Sequence, residues 1–319
     1  MNGQSGNPLV LNMSSKTSCA LVTTAIGDKY MQDWTNFSKP LWEKYAERHS
    51  VAIIVVTEDL ISRDSDNWKN GSWQKLLLPQ MVTKLFPNIS RICILDTDVI
   101  MNPLAPNIFD FAPPDHFSVV SLESKTPYPI DEVKRRIAFF RHNYYSRDYP
   151  LESLLFASSE ETMTMHGLPT VNQSFCAGLF VADTKQANLM SDWFYSVTNS
   201  EVESSVAWEQ PYLNNWIQNQ PHHWLPYEFQ AIWNYEMAWK YPYLYGSKDT
   251  LANSETARGC VESSLWTNHF LHFAGSWFES QARFNTGLLL GNRPLGSFEQ
   301  FMNYMETPVT GKPKGKILP

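Results

Sequence analysis

Apolar residues in the first hundred positions fall into short continuous runs, separated by longer stretches with helical spacing. The runs 19–24, 51–57 and 91–95 are continuous and rich in β-branched residues, which is typical of strands buried on both faces. Residues 30–48 and 74–86 place apolar side chains at helical spacing between them. This alternation predicts an α/β fold with a mainly parallel central sheet and right-handed crossovers.

The pattern changes after residue 121. A basic and aromatic segment at 134–147 predicts an amphipathic helix, and an insertion that lines an acceptor site is the alternative. Further on, 175–183 and 270–273 are strand-like, whereas 185–196 and 211–218 are helix-like. Gly178 lies inside the strand 175–183 and indicates a close approach of another group to the backbone.

We expect one domain over residues 1–306 and a loose tail at 307–319, because that tail is rich in proline and lysine. Residues of about 19–120 form the first half of the domain, and residues of about 121–280 form the second.

Composition and charge narrow the classes of function. The 319 residues are 43% hydrophobic and 18% charged, as in a globular protein. A formal net charge of −7 argues against nucleic acid as a partner, because phosphate-binding surfaces are basic. No apolar run is long enough to span a bilayer, and the N-terminal residues lack the pattern of a secretion signal. We therefore expect a cytoplasmic protein without a membrane span.

Several sequence motifs are missing. The four cysteines lie far apart with no CxxC pair, which predicts reduced thiols and no structural zinc site. No GxGxxG or GxxxxGK[ST] string occurs, which disfavours dinucleotide enzymes and P-loop NTPases.

Aromatic residues make up 14% of the chain, and eight of the twelve tryptophans lie between Trp193 and Trp277. Core packing and a platform for sugar rings both explain this cluster, and composition leaves the two interpretations open.

Two carboxylates, Asp96 and Asp98, follow directly on the apolar run 91–95. Residues two apart in an extended chain face the same side, and two unpaired carboxylates there repel each other. A divalent cation such as Mg²⁺ or Mn²⁺ relieves this repulsion and also binds substrate phosphate oxygens. Aspartates that cap a turn after the strand are the alternative.

Haloacid-dehalogenase-type phosphatases also place D-x-D after an apolar strand. Their motif normally opens the chain and needs a later acidic pair, and neither condition is met here. This alternative is therefore less favoured.

The string LLLPQMVTKLFPNISRICILDTDVIMNPLAPNIFDF resembles the central segment of GT-A-fold glycosyltransferases, particularly the glycogenin and bacterial galactosyltransferase-like (family 8-like) group. Four other segments resemble family motifs in the family's order: TTAIGDKY, FCAGLFVAD, EQPYLNNW and LHFAG. The resemblance covers roughly residues 19–280. It implies a GT-A-type, Rossmann-like nucleotide-sugar-binding fold, with a nucleotide-binding first half and an acceptor-side second half.

The resemblance also implies roles for individual residues. The implied ligands of Mn²⁺ or Mg²⁺ are Asp96, Asp98 and His272. The implied catalytic residues are Glu209 and Gln210. The implied nucleotide-sugar contacts are Thr23, Thr24, Ala25, Tyr30, Lys75, Asp96, Thr97 and Gly275. Without the family, His272 is interpreted as a packed core histidine, and for Lys75 a solvated helix lysine is close to equally favoured.

The chain departs from the family at three positions. Cys176 stands where the family has an asparagine, and Asn172 or Gln173 is the candidate replacement. Phe278 stands where a lysine binds the diphosphate, and Arg283 is the candidate substitute. Glu209 replaces an aspartate.

The expected function is transfer of a sugar from a nucleotide-diphosphate sugar, by resemblance a UDP-sugar, to a hydroxyl of a carbohydrate or glycoconjugate acceptor. The family favours retention of configuration, whereas inversion would need a base, for which Glu209 is the candidate. A magnesium-dependent phosphatase and a non-catalytic sugar-binding protein are the alternatives.

Overall fold

A seven-stranded sheet lies at the centre of the protein. This computed structural model describes residues 8–144, 155–205, 208–246, 255–275, 279, 282 and 283. The strands, numbered along the chain, are β1 Leu9–Leu11, β2 Cys19–Thr24, β3 Ala52–Val56, β4 Arg91–Leu95, β5 Val99–Met101, β6 Phe117–Ser121, β7 Phe175–Asp183, β8 His222–Trp224, β9 Ala231–Ile232 and β10 Phe270–His272. The order in the large sheet is β1-β3-β2-β4-β7-β6-β8.

Five strands of this sheet run in one direction. β2 pairs parallel with β3 and β4, and β6 pairs parallel with β8. β7 is antiparallel to both β4 and β6, and β1 is antiparallel to β3. The predicted α/β fold with a mainly parallel sheet is therefore confirmed, with β1 and β7 as the two reversed strands.

Helices cover both faces of the sheet. They are α1 Asp28–Asp33, α2 Lys39–His49, α3 Gly71–Gln74, α4 Leu78–Leu85, α5 Ile130–Tyr144, α6 Ser159–Met165, α7 Thr184–Phe194, α8 Asn199–Ser204, α9 Gln210–Gln218, α10 Trp233–Lys240 and α11 Glu255–Thr267. Alternate residues of β4 enter opposite cores: Ile92 and Ile94 pack with α4 and α7, and Cys93 and Leu95 pack with α2. Burial on both faces explains the continuous apolar runs of the sequence.

The predicted helices occur with small changes at their ends. The stretch predicted over 30–48 is helical from residue 28 to 49, with a π-helical turn at Trp34–Ser38 between α1 and α2. The stretch 74–86 is divided among α3, a 3₁₀ turn at Lys75–Leu77 and α4, because Pro79 lies in the first turn of α4 and begins a new helix there.

A second sheet of three strands connects distant parts of the chain. β10 pairs antiparallel with β5 and parallel with β9. Its core is continuous with the aromatic packing of α5, α10 and α11. This arrangement brings residues near 270 beside the aspartate pair that follows β4.

Three expectations concern termini, membranes and thiols. The predicted tail 307–319 and the domain end at 306 lie outside the described residues. In the part of the chain that the structure describes, no helix combines the length and apolarity needed to cross a membrane. All four cysteines are free, as predicted.

Candidate metal centre and adjoining cavity

Asp96, Asp98 and His272 form a cluster at the carboxyl end of β4. One ligand atom from each residue lies within 4.8 Å of the other two. His272 Nε2 is 3.2 Å from Asp98 Oδ1. His272 is buried, and the two carboxylates are partly exposed, so one side of the cluster is open to a ligand. The predicted trio is thus brought together by the fold.

The β5–β10 pairing explains how residues so far apart in the sequence meet. The main chain turns sharply after Asp96 and returns as β5, whose Val99 is paired with His272. The amide of Phe273 donates to the carbonyl of Asp98 at 3.1 Å. His272 is therefore held beside the aspartates by main-chain hydrogen bonds on both of its sides in the sequence.

Gly178 on β7 leaves the space that His272 fills. A Cβ at this position would lie 2.2 Å from His272 Cε1 and 3.0 Å from Asp96 Oδ2. The amide of Asp96 also donates to the carbonyl of Gly178 at 2.9 Å. The structure thus confirms the close approach to Gly178 and identifies its cause, which is access of the histidine ring to the cluster.

The other edge of the His272 ring is also engaged. Its Nδ1 lies 3.2 Å from Gln230 Nε2 and 3.5 Å from Cys176 Sγ. Burial favours a lower pKa for His272, but the neighbouring Cys176 and Asp98 outweigh burial and raise this pKa well above its ordinary value. The ring therefore has its orientation fixed, with Nε2 facing the aspartates.

Lys75 is buried and joins the cluster to Glu209. Its Nζ lies 3.0 Å from Asp96 Oδ1 and 2.6 Å from Glu209 Oε1, and it donates to the carbonyl of Ala177 at 2.9 Å. Burial opposes the charge on Lys75, and the two carboxylates more than compensate, so the pKa of Lys75 is raised. Lys75 is thus a buried ion-pair residue rather than a solvated helix lysine.

The charges and the space at this place fit a divalent cation. When His272 is neutral, as a metal ligand has to be, Asp96, Asp98 and Glu209 contribute three carboxylates against the one ammonium of Lys75, which leaves an excess of two negative charges. The ligand atoms are two carboxylates and an imidazole nitrogen, a set that suits Mn²⁺. The Gly178 backbone gives the imidazole room to reach the cation.

Arg283 lies close enough to affect the cluster. Burial raises the pKa of Asp98, whereas His272 and, more weakly, Arg283 lower it, and the net change is downward. Arg283 also lies 3.5 Å from Asp33 and over the ring of Phe37. The position of Phe278 is outside the described residues.

The predicted nucleotide contacts lie at the end of β2, next to β4. Thr23 is fully buried, and its hydroxyl has no hydrogen-bond partner within the described residues. Thr24 is half-buried, and Ala25 is buried and bonded to β3 through its amide. Tyr30 is exposed on α1. Their contact with a nucleotide stays a prediction.

Thr97 and Gln173 make hydrogen bonds within the protein, whereas Asn172 is exposed. The Thr97 carbonyl accepts from the Ser38 hydroxyl at 2.6 Å. Asn172 is exposed, and the side-chain oxygen of Gln173 accepts from Ser121 and Ser124. Cys176 itself occupies the position beside His272.

A cavity of about 210 Å³ adjoins the cluster. Cys176, Gln210 and Gly275 contribute to its wall, so it lies next to His272 through Cys176 and includes one of the two predicted catalytic residues. Gln210 Oε1 accepts from the amide of Ala177 at 3.3 Å, which fixes its side chain. Glu209 is buried against Lys75 and is not among the residues lining the cavity.

Sequence reasoning missed Gln230 and the polar residues of this cavity. Gln230 lies in a 3₁₀ turn, Tyr227–Gln230, and carries no motif. Glu123 lies in the loop after β6, Lys134 in α5 and Asn234 in α10, so no spacing in the sequence groups them.

Comparison with known proteins found similar solved structures but no matching family or curated protein. No protein-family model matches the chain, and no curated protein matches it. A glycosyltransferase involved in the glycosylation of the major capsid of PBCV-1 is similar over 83% of this chain and 96% of its own, at 10% identity and TM-score 0.48. The bifunctional glycosyltransferase WbbM is similar over 91% of this chain and 54% of its own, at 13% identity and TM-score 0.46.

The galactosyltransferase LgtC, solved with donor and acceptor sugar analogues, is similar over 81% of this chain and 87% of its own, at 12% identity and TM-score 0.43. All three are glycosyltransferases, the class that the sequence motifs resemble.

Proposed function

We propose that this protein is a metal-dependent glycosyltransferase that moves a sugar from a nucleotide-diphosphate sugar to a hydroxyl acceptor. The convergence of Asp96, Asp98 and His272 at the carboxyl end of a central strand carries the proposal. Ligands of open α/β sheets bind at this edge. The glycine at position 178, which leaves room for the histidine, supports a site built for an ion.

Mn²⁺ is the cation that we favour over Mg²⁺, since one ligand is an imidazole and Mg²⁺ prefers oxygen. When bound, it offsets the negative charge that develops on the departing diphosphate. Asp96 and Asp98 would hold it with carboxylate oxygens, and His272 would bind it as neutral imidazole.

The remaining residues act on the donor. Thr23, Thr24, Ala25 and Tyr30 surround the base and ribose, for which uracil is our proposal from the family resemblance. Arg283 supplies positive charge near Asp98, as a substitute for the family lysine at the diphosphate.

Glu209 and Gln210 lie where the sugar reacts. Glu209 Oε1 is bound to Lys75, so this oxygen is unavailable to take a proton from an acceptor. This geometry supports retention, with the leaving phosphate accepting the proton and Gln210 stabilising the positive charge at the sugar carbon.

Metal-dependent donor binding tests this function. We expect Mn²⁺ together with a nucleoside diphosphate or the correct nucleotide sugar to raise the melting temperature by several degrees at saturation, because ligands that bind only the native state stabilise it, by about 2.7 kcal/mol at 100 times Kd. The double variant Asp96→Asn/Asp98→Asn should fold and lose this response.

The chain offers a matched control. Asp64 and Asp66 form a second D-x-D pair in an exposed loop. Asp64→Asn/Asp66→Asn should keep the full response. An Mn²⁺-dependent response that survives in the Asp96→Asn/Asp98→Asn variant would contradict the metal role.

Product analysis separates the alternatives. A transferase should release nucleoside diphosphate from a nucleotide sugar slowly in water and faster with an acceptor. Release of inorganic phosphate from simple phosphomonoesters would indicate a phosphatase. Sugar binding without any hydrolysis would indicate a non-catalytic protein.

A further inference from the structure

The cavity beside the metal cluster is lined by three polar residues, Glu123, Lys134 and Asn234, that have no role in the proposed donor site. Every described residue that lines it lies between Leu122 and Gly275, and none comes from the nucleotide-binding half of the chain. A small cavity with a few converging polar groups is typical of a ligand site.

Asn234 gives the first indication of what the cavity binds. It is 7% exposed, and its side-chain oxygen is buried without a hydrogen-bond partner among the described residues. A buried amide oxygen without a partner is costly unless a ligand or water pairs with it. An amide offers one donor group and one acceptor group side by side, and two neighbouring hydroxyls of a sugar ring match that pair.

Glu123 and Lys134 place one charge of each sign in the wall. Glu123 Oε1 accepts from Ser159 Oγ and from Ser174 Oγ and N, whereas its Oε2 accepts from no described residue. Lys134 Nζ donates to the carbonyl of Ala157 at 3.1 Å and has no carboxylate within 4 Å among the described residues. Because the wall carries one charge of each sign, it favours neither an anion nor a cation. Glu123 can accept a hydrogen bond from a ligand hydroxyl, and Lys134 can donate one.

Trp208 adds an aromatic surface to this wall. Its side chain is 63% exposed, and it directly precedes Glu209 and Gln210 in the chain. Its φ of 51° is unusual for a bulky residue, and this conformation turns the main chain sharply just before Glu209. An exposed indole at a polar cavity suits the apolar face of a pyranose.

We infer that this cavity binds the acceptor of the proposed transferase, and that the bound unit is an uncharged pyranose with two neighbouring free hydroxyls, read by Asn234 with Glu123 and Lys134. That the ligand is the acceptor of a transfer reaction rests on the proposed function. The ligand class itself rests on the cavity alone.

Saturation-transfer NMR with the metal-free protein tests the ligand class. The uncharged probes are methyl glucoside, methyl galactoside and methyl mannoside, and the charged probes are methyl glucuronide and methyl glucosaminide. We expect at least one uncharged probe to bind, and each charged probe to bind several-fold more weakly. A preference for a charged probe, or binding of none of the uncharged ones, would overturn the inference.

Variants locate the binding. Asn234→Leu keeps the approximate side-chain size and should weaken probe binding at least tenfold, as expected for lost hydrogen bonds to a buried group. Trp208→Ala should weaken it several-fold, whereas Trp266→Ala, at an exposed tryptophan outside the cavity, should leave it unchanged. Unaltered probe binding in Asn234→Leu and Trp208→Ala would place the ligand elsewhere and overturn the inference.

Two readouts separate this inference from the proposed function. In Asn234→Leu the KM for the acceptor should rise at least tenfold, while Mn²⁺-dependent nucleotide binding and donor hydrolysis stay unchanged. Asp96→Asn/Asp98→Asn should bind the uncharged probe normally. If the unmodified protein binds the probe but no nucleotide, the cavity stands and the transferase proposal fails.

Discussion

Lys75 links the stability of the protein to the chemistry of the site. Its ammonium is shared by Asp96, by Glu209 and by the carbonyl of Ala177. Asp96 is partly exposed and can be hydrated when Lys75 is lost, but Glu209 is buried. The main penalty of removing Lys75 is therefore the unpaired charge that it leaves on Glu209.

A double-mutant cycle at residues 75 and 209 measures this coupling. We expect Lys75→Met to lower the free energy of unfolding by about 3 kcal/mol, because a buried carboxylate loses its partner. Adding Glu209→Gln removes that charge. The free energy of unfolding of the double variant should therefore be higher than the two single effects predict when they are added. Urea unfolding of the unmodified protein, the two single variants and the double variant gives the four free energies, and simple additivity would show that the two groups do not interact.

A second prediction at the scale of single residues concerns Gly178. Gly178→Ala places a methyl group where His272 Cε1 lies, so the ring has to move away from the aspartates. We expect Mn²⁺ affinity to fall at least tenfold in calorimetry, as when a group orienting a metal ligand is lost.

Gly259→Ala is the control for this substitution. Gly259 lies in α11 with nothing within 4 Å of its added Cβ, so the variant should bind Mn²⁺ normally and gain about 0.5–1 kcal/mol of stability. Full Mn²⁺ affinity in Gly178→Ala would remove His272 from the ligand set.

The elements around the site hold the aspartate loop from several directions. The π-helical turn Trp34–Ser38 brings the Ser38 hydroxyl onto the carbonyl of Thr97, between the two aspartates. In the next helix Trp42 donates from its indole nitrogen to the carbonyl of Val99 at 2.7 Å. The irregular turn thus fixes a loop that the strands alone do not hold.

Removing the Ser38 hydroxyl tests this role. We expect Ser38→Ala to lower the free energy of unfolding by about 1 kcal/mol, since a buried carbonyl loses its partner, and to weaken Mn²⁺ binding several-fold. Ser196→Ala removes a similar hydrogen bond to a carbonyl on the surface and should change neither. Unchanged metal affinity in Ser38→Ala would mean that the loop is held without this contact.

At the scale of the whole molecule, sequence patterns predict the helices and strands whose formation depends on residues close together in the chain. The strands at 19–24 and 91–95 were placed correctly, because burial on both faces leaves a continuous apolar run. The insertion of the reversed strand β7 between β4 and β6 was not predicted, since pairing across many residues leaves no local signal.

The site shows the same division. The aspartate pair could be predicted from its place after a strand, and His272 only through resemblance to a family. The cavity residue Asn234 could not be found, because its meaning depends on an unpaired amide oxygen that only the three-dimensional structure shows. The roles of these residues remain predictions for the experiments above.

The pairing of β5 with β10 has a consequence during synthesis of the chain. Asp96 and Asp98 leave the ribosome long before His272, because β10 lies far after β4 and β5 in the chain. A nascent chain that exposes only the two carboxylates binds cellular Mg²⁺ and Ca²⁺ weakly and does not select between them. If the cluster binds Mn²⁺ as proposed, its three ligands are complete only after His272 has left the ribosome.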